Sequence, residues 1–260
     1  MDEGLTSKQI EDREAISRSL ETSDPKEKTT HALDEDDTRD AKRLRITPKK
    51  IQEIVAIMDR SGSMMGKVAD SVGGFNSAIE AIRSDQDDDF NINVSLKLFD
   101  HEEKLLFNRI PLSEVKPLEE GQLIPRGQTA LLDAIGHTLM HFMEKKLKDP
   151  QSYDCCTVYV VTDGRENCSK NFTRTRIKEL IKTAEEKYNI KLIYLAANQD
   201  AILEAGHLGI DAGQAINYSE SNEETRAAHK SAAAMVGRHR SGEPVKFSEY
   251  ERQASCKPTL

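Results

Sequence analysis

Three oxygen-bearing side chains stand two apart in the stretch I-V-A-I-M-D-R-S-G-S, as Asp59, Ser61 and Ser63. Crowded hard oxygen donors of this kind suit a cation such as Mg²⁺ or Mn²⁺, not zinc, which prefers nitrogen and sulfur. Two further oxygen residues stand at the ends of other predicted elements: Thr129, which opens a helix in G-Q-T-A-L, and Asp163, which follows a strand in V-T-D-G. Taken alone, Ser61-Gly62-Ser63 reads better as a helix-capping loop. The reading as a metal site depends on whether the fold brings all five residues together.

The elements that must do this are legible. Ile54 to Met58 is an apolar run short enough for one strand buried on both faces. Val68, Val72, Phe75, Ile79 and Ile82 then mark a helical face. Asn91–Phe99 and Lys104–Ile110, separated by Asp100 to Glu103, predict a hairpin with one antiparallel edge strand. Leu131, Ile135, Leu139 and Phe142 define a second helix, with Thr129 suited to its N-cap and Gly127 easing the entry. Cys156–Val161 is a buried strand ending in Thr162-Asp163-Gly164. Ile177, Leu180, Ile181, Ala184 and Tyr188 define the next helix, and Ile190–Ala197 the next strand. A short helix, a weak strand at Ala215–Tyr218, and a helix from Glu223 to about Gly237 with a small-residue face (Ala227, Ser231, Ala234) follow. Strands alternating with helices predict an α/β fold: a doubly wound, mostly parallel six-stranded sheet with helices on both faces. Ligands of such sheets bind outside the carboxyl ends of the strands. That rim carries Asp59, Ser61, Ser63, Thr129 and Asp163, and Asp59 is expected to turn its carboxylate to solvent and metal, not to the core.

The chain has 260 residues, 32% of them charged and 37% hydrophobic, with a net charge of −8. That balance does not favour a nucleic-acid partner. The first ten residues show no signal-peptide pattern, and no apolar run approaches the ~20 residues of a membrane span. Cys155, Cys156, Cys168 and Cys256 fit neither a disulfide framework nor a metal knuckle, which points to a reduced, intracellular, cytoplasmic setting. Residues 1–48 are polar and read as a disordered tail, 49–240 as the folded domain, and 241–260 as a C-terminal tail. Asp34 to Asp37 imitates the start of a calcium loop but lacks its glycine, so it reads as a solvated acidic run. The basic cluster from Lys42 to Lys50 reads as a solvated flank or as a nuclear address.

The order D-x-S-x-S, lone threonine, then T-D-G resembles the metal-ion-dependent adhesion site of von Willebrand factor type A domains, over roughly residues 50 to 240. Gly127–Gly136 (G-Q-T-A-L-L-D-A-I-G), Thr162–Ser169 (T-D-G-R-E-N-C-S) and Ala197–Ala201 (A-N-Q-D-A) are similar to segments of small intracellular or viral members of that family. Gln128 stands where those carry glycine. The resemblance implies that Ser61 and Ser63 ligate the metal directly, and that Asp59, Thr129 and Asp163 do so directly or through water. It implies a Rossmann-like fold and a protein partner whose Asp or Glu carboxylate completes the coordination, with no nucleic acid or membrane. Helix N-termini after Ser63 and at Thr129 would add partial positive charge.

Asn167, Asn198 and Asp200 either line the same rim or serve turns. His101 and His207 read as surface residues, and Cys155 and Cys156 as packing residues on opposite strand faces. An aspartyl phosphohydrolase would need a second acid where Ser61 stands. Gly62–Lys67 is a phosphate loop one residue short, with Val68 where a hydroxyl is required. No G-x-S-x-G elbow is present. The sequence therefore favours a binding module over an enzyme; the alternatives are a metal-dependent phosphohydrolase and a scaffold with a purely structural metal.

Overall fold

The structure, a computed structural model, describes residues 48–256 apart from 86, 198–200 and 220. The expected N-terminal tail therefore lies outside the described residues, as do Asn198 and Asp200. The strands are β1 (Lys50–Asp59), β2 (Phe90–Phe99), β3 (Glu103–Pro111), β4 (Cys155–Thr162), β5 (Ile190–Ala197) and β6 (Ala215–Tyr218). The helices are α1 (Val68–Ser84), α2 (Leu131–Lys148), α3 (Arg174–Tyr188), α4 (Ala201–Leu208), α5 (Asn222–Ser241) and α6 (Glu249–Ser255). None of the described helices is long and apolar enough to cross a membrane.

The strands form one six-stranded sheet in the order β3-β2-β1-β4-β5-β6. All neighbours are parallel except β2 and β3, the expected antiparallel hairpin. The chain winds from β1 outward through β2 and β3, then returns to build β4, β5 and β6 on the other side. The winding reverses between β1 and β4, and at that point a doubly wound sheet opens a crevice beyond the strand ends. Asp59 ends β1 and Asp163 follows β4, so both stand at the reversal.

Alternation along β1 feeds two cores. Ile54, Ala56 and Met58 pack with Val72, Phe75 and Ile79 of α1 and Ala232, Met235 and Val236 of α5. Val55 and Ile57 face the other layer, with Leu131, Ile135 and Leu139 of α2, Ile177 and Ile181 of α3, and Ala201 and Ala205 of α4. Each fully buried aliphatic side chain contributes ~1.5–3 kcal/mol, so β1 is anchored from both faces. Cys155 belongs to the first core and Cys156 to the second.

Two expectations need correction. The buried face of α5 runs through Ala228, Ser231, Ala232 and Met235, while Ala234 is exposed. The helix is rotated by about one position, which brings Met235 and Val236 into the core alongside its small residues. The segment after residue 241 is not a free tail. Val245 and Phe247 are buried in the core beside α5, and Ser248 with Glu251 forms a reciprocal capping box at the start of α6. Ser219 N donates to Ser255 O at 3.0 Å, and Arg252 donates to Ala215 O at 2.8 Å. Two apolar residues in V-K-F, followed by an S-x-x-E signature, are the sequence signal for this addition.

Candidate metal centre

The serine loop is shaped by Asp59. Its Oδ1 accepts from the Ser61 amide at 2.6 Å, the local bond by which aspartate turns its own backbone. Gly62–Met64 then makes one 3-10 turn, and α1 begins only at Val68. The helix N-terminus is thus further from the serines than expected. Gly62 N donates to Gly127 O at 3.2 Å, and Arg126 N to Arg60 O at 2.8 Å, which ties this loop to the threonine loop. Gly127 has φ +66, a left-handed conformation, and the His101 ring occupies the space a side chain would need.

The Asp59 carboxylate does not face solvent. It is fully buried, with Oδ2 accepting from Thr162 Oγ1 at 2.6 Å. Burial pushes its carboxyl up to about 6, although hydrogen bonds from Thr162 and Ser61 oppose the shift and the nearby Asp163 adds to it. The strand end is walled in by the loops it carries, so the carboxylate points into the cluster of oxygens.

Three polar side chains connect in sequence. Ser61 Oγ and Ser63 Oγ are 2.9 Å apart, and Ser63 Oγ donates to Asp163 Oδ1 at 2.6 Å. Thr129 joins them from the other side. A methyl group built on Gly164 would lie 3.0 Å from Thr129 Oγ1, 3.2 Å from Ser63 Oγ and 3.5 Å from Asp59 Oδ2. Side-chain oxygens from the serine loop and the threonine loop thus surround one small space that the glycine keeps open, and Asp163 is tied to them through Ser63. All five sequence-predicted residues are brought together, and every donor atom is oxygen, the set a hard divalent ion requires.

Thr129 is not the N-cap of α2. That helix starts at Leu131, and the cap residue Ala130 makes no side-chain bond. Instead Thr129 N donates to Asn167 Oδ1 at 2.9 Å, and Asn167 N donates to Thr129 O at 3.1 Å. Asn167 therefore clamps the threonine loop. The cap role falls to Glu166, whose Oε2 accepts from Leu132 N at 2.9 Å and from Ser169 Oγ at 2.7 Å. A carboxylate at a helix N-terminus is favoured by the exposed amides there. Asp133 binds the same loop to α2, accepting from Lys170 N at 2.8 Å, Asn171 N at 2.9 Å and Phe172 N at 3.0 Å. These bonds account for the acids in D-A-I-G and G-R-E-N. They hold in place the loop that carries Asp163 and Gly164.

Behind the threonine loop, the fully buried Asp100 lies 3.1 Å from Arg60 Nε and 2.8 Å from Arg126 Nε. Its backbone carbonyl accepts from Ala130 N at 2.8 Å. Asp100, His101 and Glu102 form an acidic cluster, but both carboxylates are engaged by arginine, Glu102 by Arg126. His101 and His207 are about half exposed. Burial pushes the Cys155 thiol up to about 12 and that of Cys156 well above its ordinary value. One residue that spacing did not assign to the site belongs there: Lys67 Nζ is 2.5 Å from Asp163 Oδ2.

No family model and no curated protein matches this sequence. Solved structures do share its fold. Proximal thread matrix protein 1 from the mussel byssus superposes with a TM-score of 0.51 at 12% identity, over 73% of this chain and 47% of its own. A von Willebrand factor type A protein from Catenulispora acidiphila gives 0.51 at 13% identity, over 73% of this chain and 43% of its own. The von Willebrand factor domain of a type V pilus tip protein from Porphyromonas gingivalis gives 0.52 at 10% identity, over 72% of this chain and 95% of its own. The matched region is thus under half of the mussel and Catenulispora chains and nearly all of the pilus domain. The chain has the von Willebrand factor type A fold.

Proposed function

We propose that the chain is a divalent-metal-dependent protein-interaction module. In this reading Asp59, Ser61, Ser63, Thr129 and Asp163 hold Mg²⁺ or Mn²⁺, and the ion supplies a coordination position for an Asp or Glu carboxylate of a partner protein. The observation that carries it is the convergence of oxygens of Asp59, Ser63 and Thr129 on the space beside Gly164, with Ser61 and Asp163 joined to Ser63. Two carboxylates leave a divalent ion close to neutral, so the site welcomes a third anion. The hydroxyls contribute ligands without adding charge, and Thr162 and the Ser61 amide orient Asp59. Met65, immediately beyond the serine turn, is 75% exposed. It gives a partner apolar contact area beside the ion.

The buried Asp59 argues against the phosphohydrolase alternative. Both of its oxygens already accept hydrogen bonds, which lowers their nucleophilicity. The reduced cytoplasmic setting belongs to this proposal and rests on the cysteine pattern. The test is capture of partners from a native extract in Mg²⁺ and in EDTA, with Asp59→Ala alongside, and a phosphate-release assay in parallel. Metal-dependent capture lost in Asp59→Ala is the expected result. Capture unaffected by EDTA leaves the metal structural, and phosphate release that Asp59→Ala abolishes makes the chain an enzyme.

A further inference from the structure

The two oxygens of Asp163 are divided between two partners. Oδ1 accepts from Ser63 Oγ at 2.6 Å, and Oδ2 lies 2.5 Å from the Lys67 ammonium. The Asp163 side chain is 1% exposed and that of Lys67 25% exposed. A carboxylate withdrawn from water this far needs a compensating charge, and the lysine provides it. The backbone of Lys67 is fixed: its amide donates to Met64 O at 3.0 Å, and its carbonyl accepts from Ser71 N at 2.9 Å. Only the flexible side chain is able to leave, and its partial exposure gives it a route to solvent.

We propose that Lys67 is a tethered counter-ion that competes with the metal for Asp163. Its ammonium neutralises the carboxylate and keeps the loops assembled before the ion arrives. Binding then requires the ammonium to withdraw from Oδ2, because a divalent ion and an ammonium on one carboxylate repel each other at short range. Lys67 thus lowers metal affinity and preserves the site without metal. The proposal rests on the reading of the oxygen cluster as a metal site.

The experiment is a titration of Mn²⁺, followed by electron paramagnetic resonance, into wild type, Lys67→Met and Lys67→Arg. Lys67→Met should bind about tenfold more tightly or better, a conservative figure for removing a unit charge a few ångströms from a divalent ion. Lys67→Arg keeps the charge and should stay close to wild type. Metal-free Lys67→Met should melt lower than wild type and show a larger rise with Mn²⁺. If wild type binds Mn²⁺ and Lys67→Met binds it equally or more weakly, the competition is overturned while the metal site stands. If wild type binds no Mn²⁺, the metal reading itself fails and the competition falls with it. Should Lys67→Met not fold, wild type carrying ¹³C-dimethylated lysines provides the answer. The Lys67 signal, identified by its loss in Lys67→Arg, should move on saturation with Mg²⁺, and an unmoved signal overturns the proposal.

Discussion

Gly164→Ala tests where the ion sits with a single methyl group. The backbone at Gly164 is outside the left-handed region, so alanine is conformationally acceptable and any effect comes from the added carbon. That carbon would stand 3.0 Å from Thr129 Oγ1 and 3.2 Å from Ser63 Oγ. Both hydroxyls must retreat by a few tenths of an ångström. Mg²⁺ holds oxygens at about 2.0–2.1 Å in a near-ideal octahedron and tolerates such a shift poorly. A loss of about ten- to a hundredfold in affinity follows, ~1.4–2.8 kcal/mol. At a metal concentration about a hundred times the wild-type Kd, linkage stabilises wild type by ~2.7 kcal/mol, but a tenfold weaker variant by only ~1.4 kcal/mol. At about 2–4 °C per kcal/mol for a domain of this size, the metal-dependent rise in Tm should be roughly halved. Calorimetric titration with Mg²⁺ and thermal melting with and without metal measure both quantities. Without metal the variant should melt within about 3 °C of wild type. Wild-type metal affinity in Gly164→Ala would refute the placement of the ion among Thr129, Ser63 and Asp59.

Other consequences concern stability. His229 is fully buried, with both ring nitrogens lacking a hydrogen-bond partner, and burial lowers its pKa from 6.5 to about 4. The unfolded chain therefore takes up the proton first, so stability is complete above pH 6.5 and is lost as pH falls toward 4. This histidine alone accounts for ~3 kcal/mol of that loss. Urea unfolding across this range should be less pH-sensitive in His229→Leu; an unchanged pH dependence would rule out the assignment. Phe247→Ala should cost ~3 kcal/mol by emptying a core position, and a change below ~1 kcal/mol in urea unfolding would restore the C-terminal segment to the status of a tail.

The fold was legible where local pattern and burial agree. The apolar run of β1, the hairpin spacing and the face of α2 each follow from a period that a short window reveals. The five oxygens were legible as residue types and by resemblance; their convergence depends on the winding reversal between β1 and β4. A threonine before an apolar run has the appearance of a cap, yet the N-cap position falls one residue later, at Ala130. Only the loop at Glu166 and Asn167, some 38 residues away, shows that the cap is supplied from elsewhere. The burial of Asp59 depends on Thr162, more than a hundred residues further along the chain. In the sequence Lys67 stands only as the end of an imperfect phosphate loop, since nothing local links a lysine to Asp163, 96 positions on. The segment A-N-Q-D-A lies mostly outside the described residues, so its place at the rim rests on sequence alone.

The most direct measurement is a Mn²⁺ titration of wild type beside Asp59→Ala. Wild type should bind Mn²⁺ at one site, competed by Mg²⁺, and the variant at none. Asp59 accepts from the Ser61 amide and from Thr162 Oγ1, so the metal-free variant should lose about 1–3 kcal/mol of stability and is titrated at a temperature where it stays folded. Equal Mn²⁺ binding by folded Asp59→Ala would contradict the central claim.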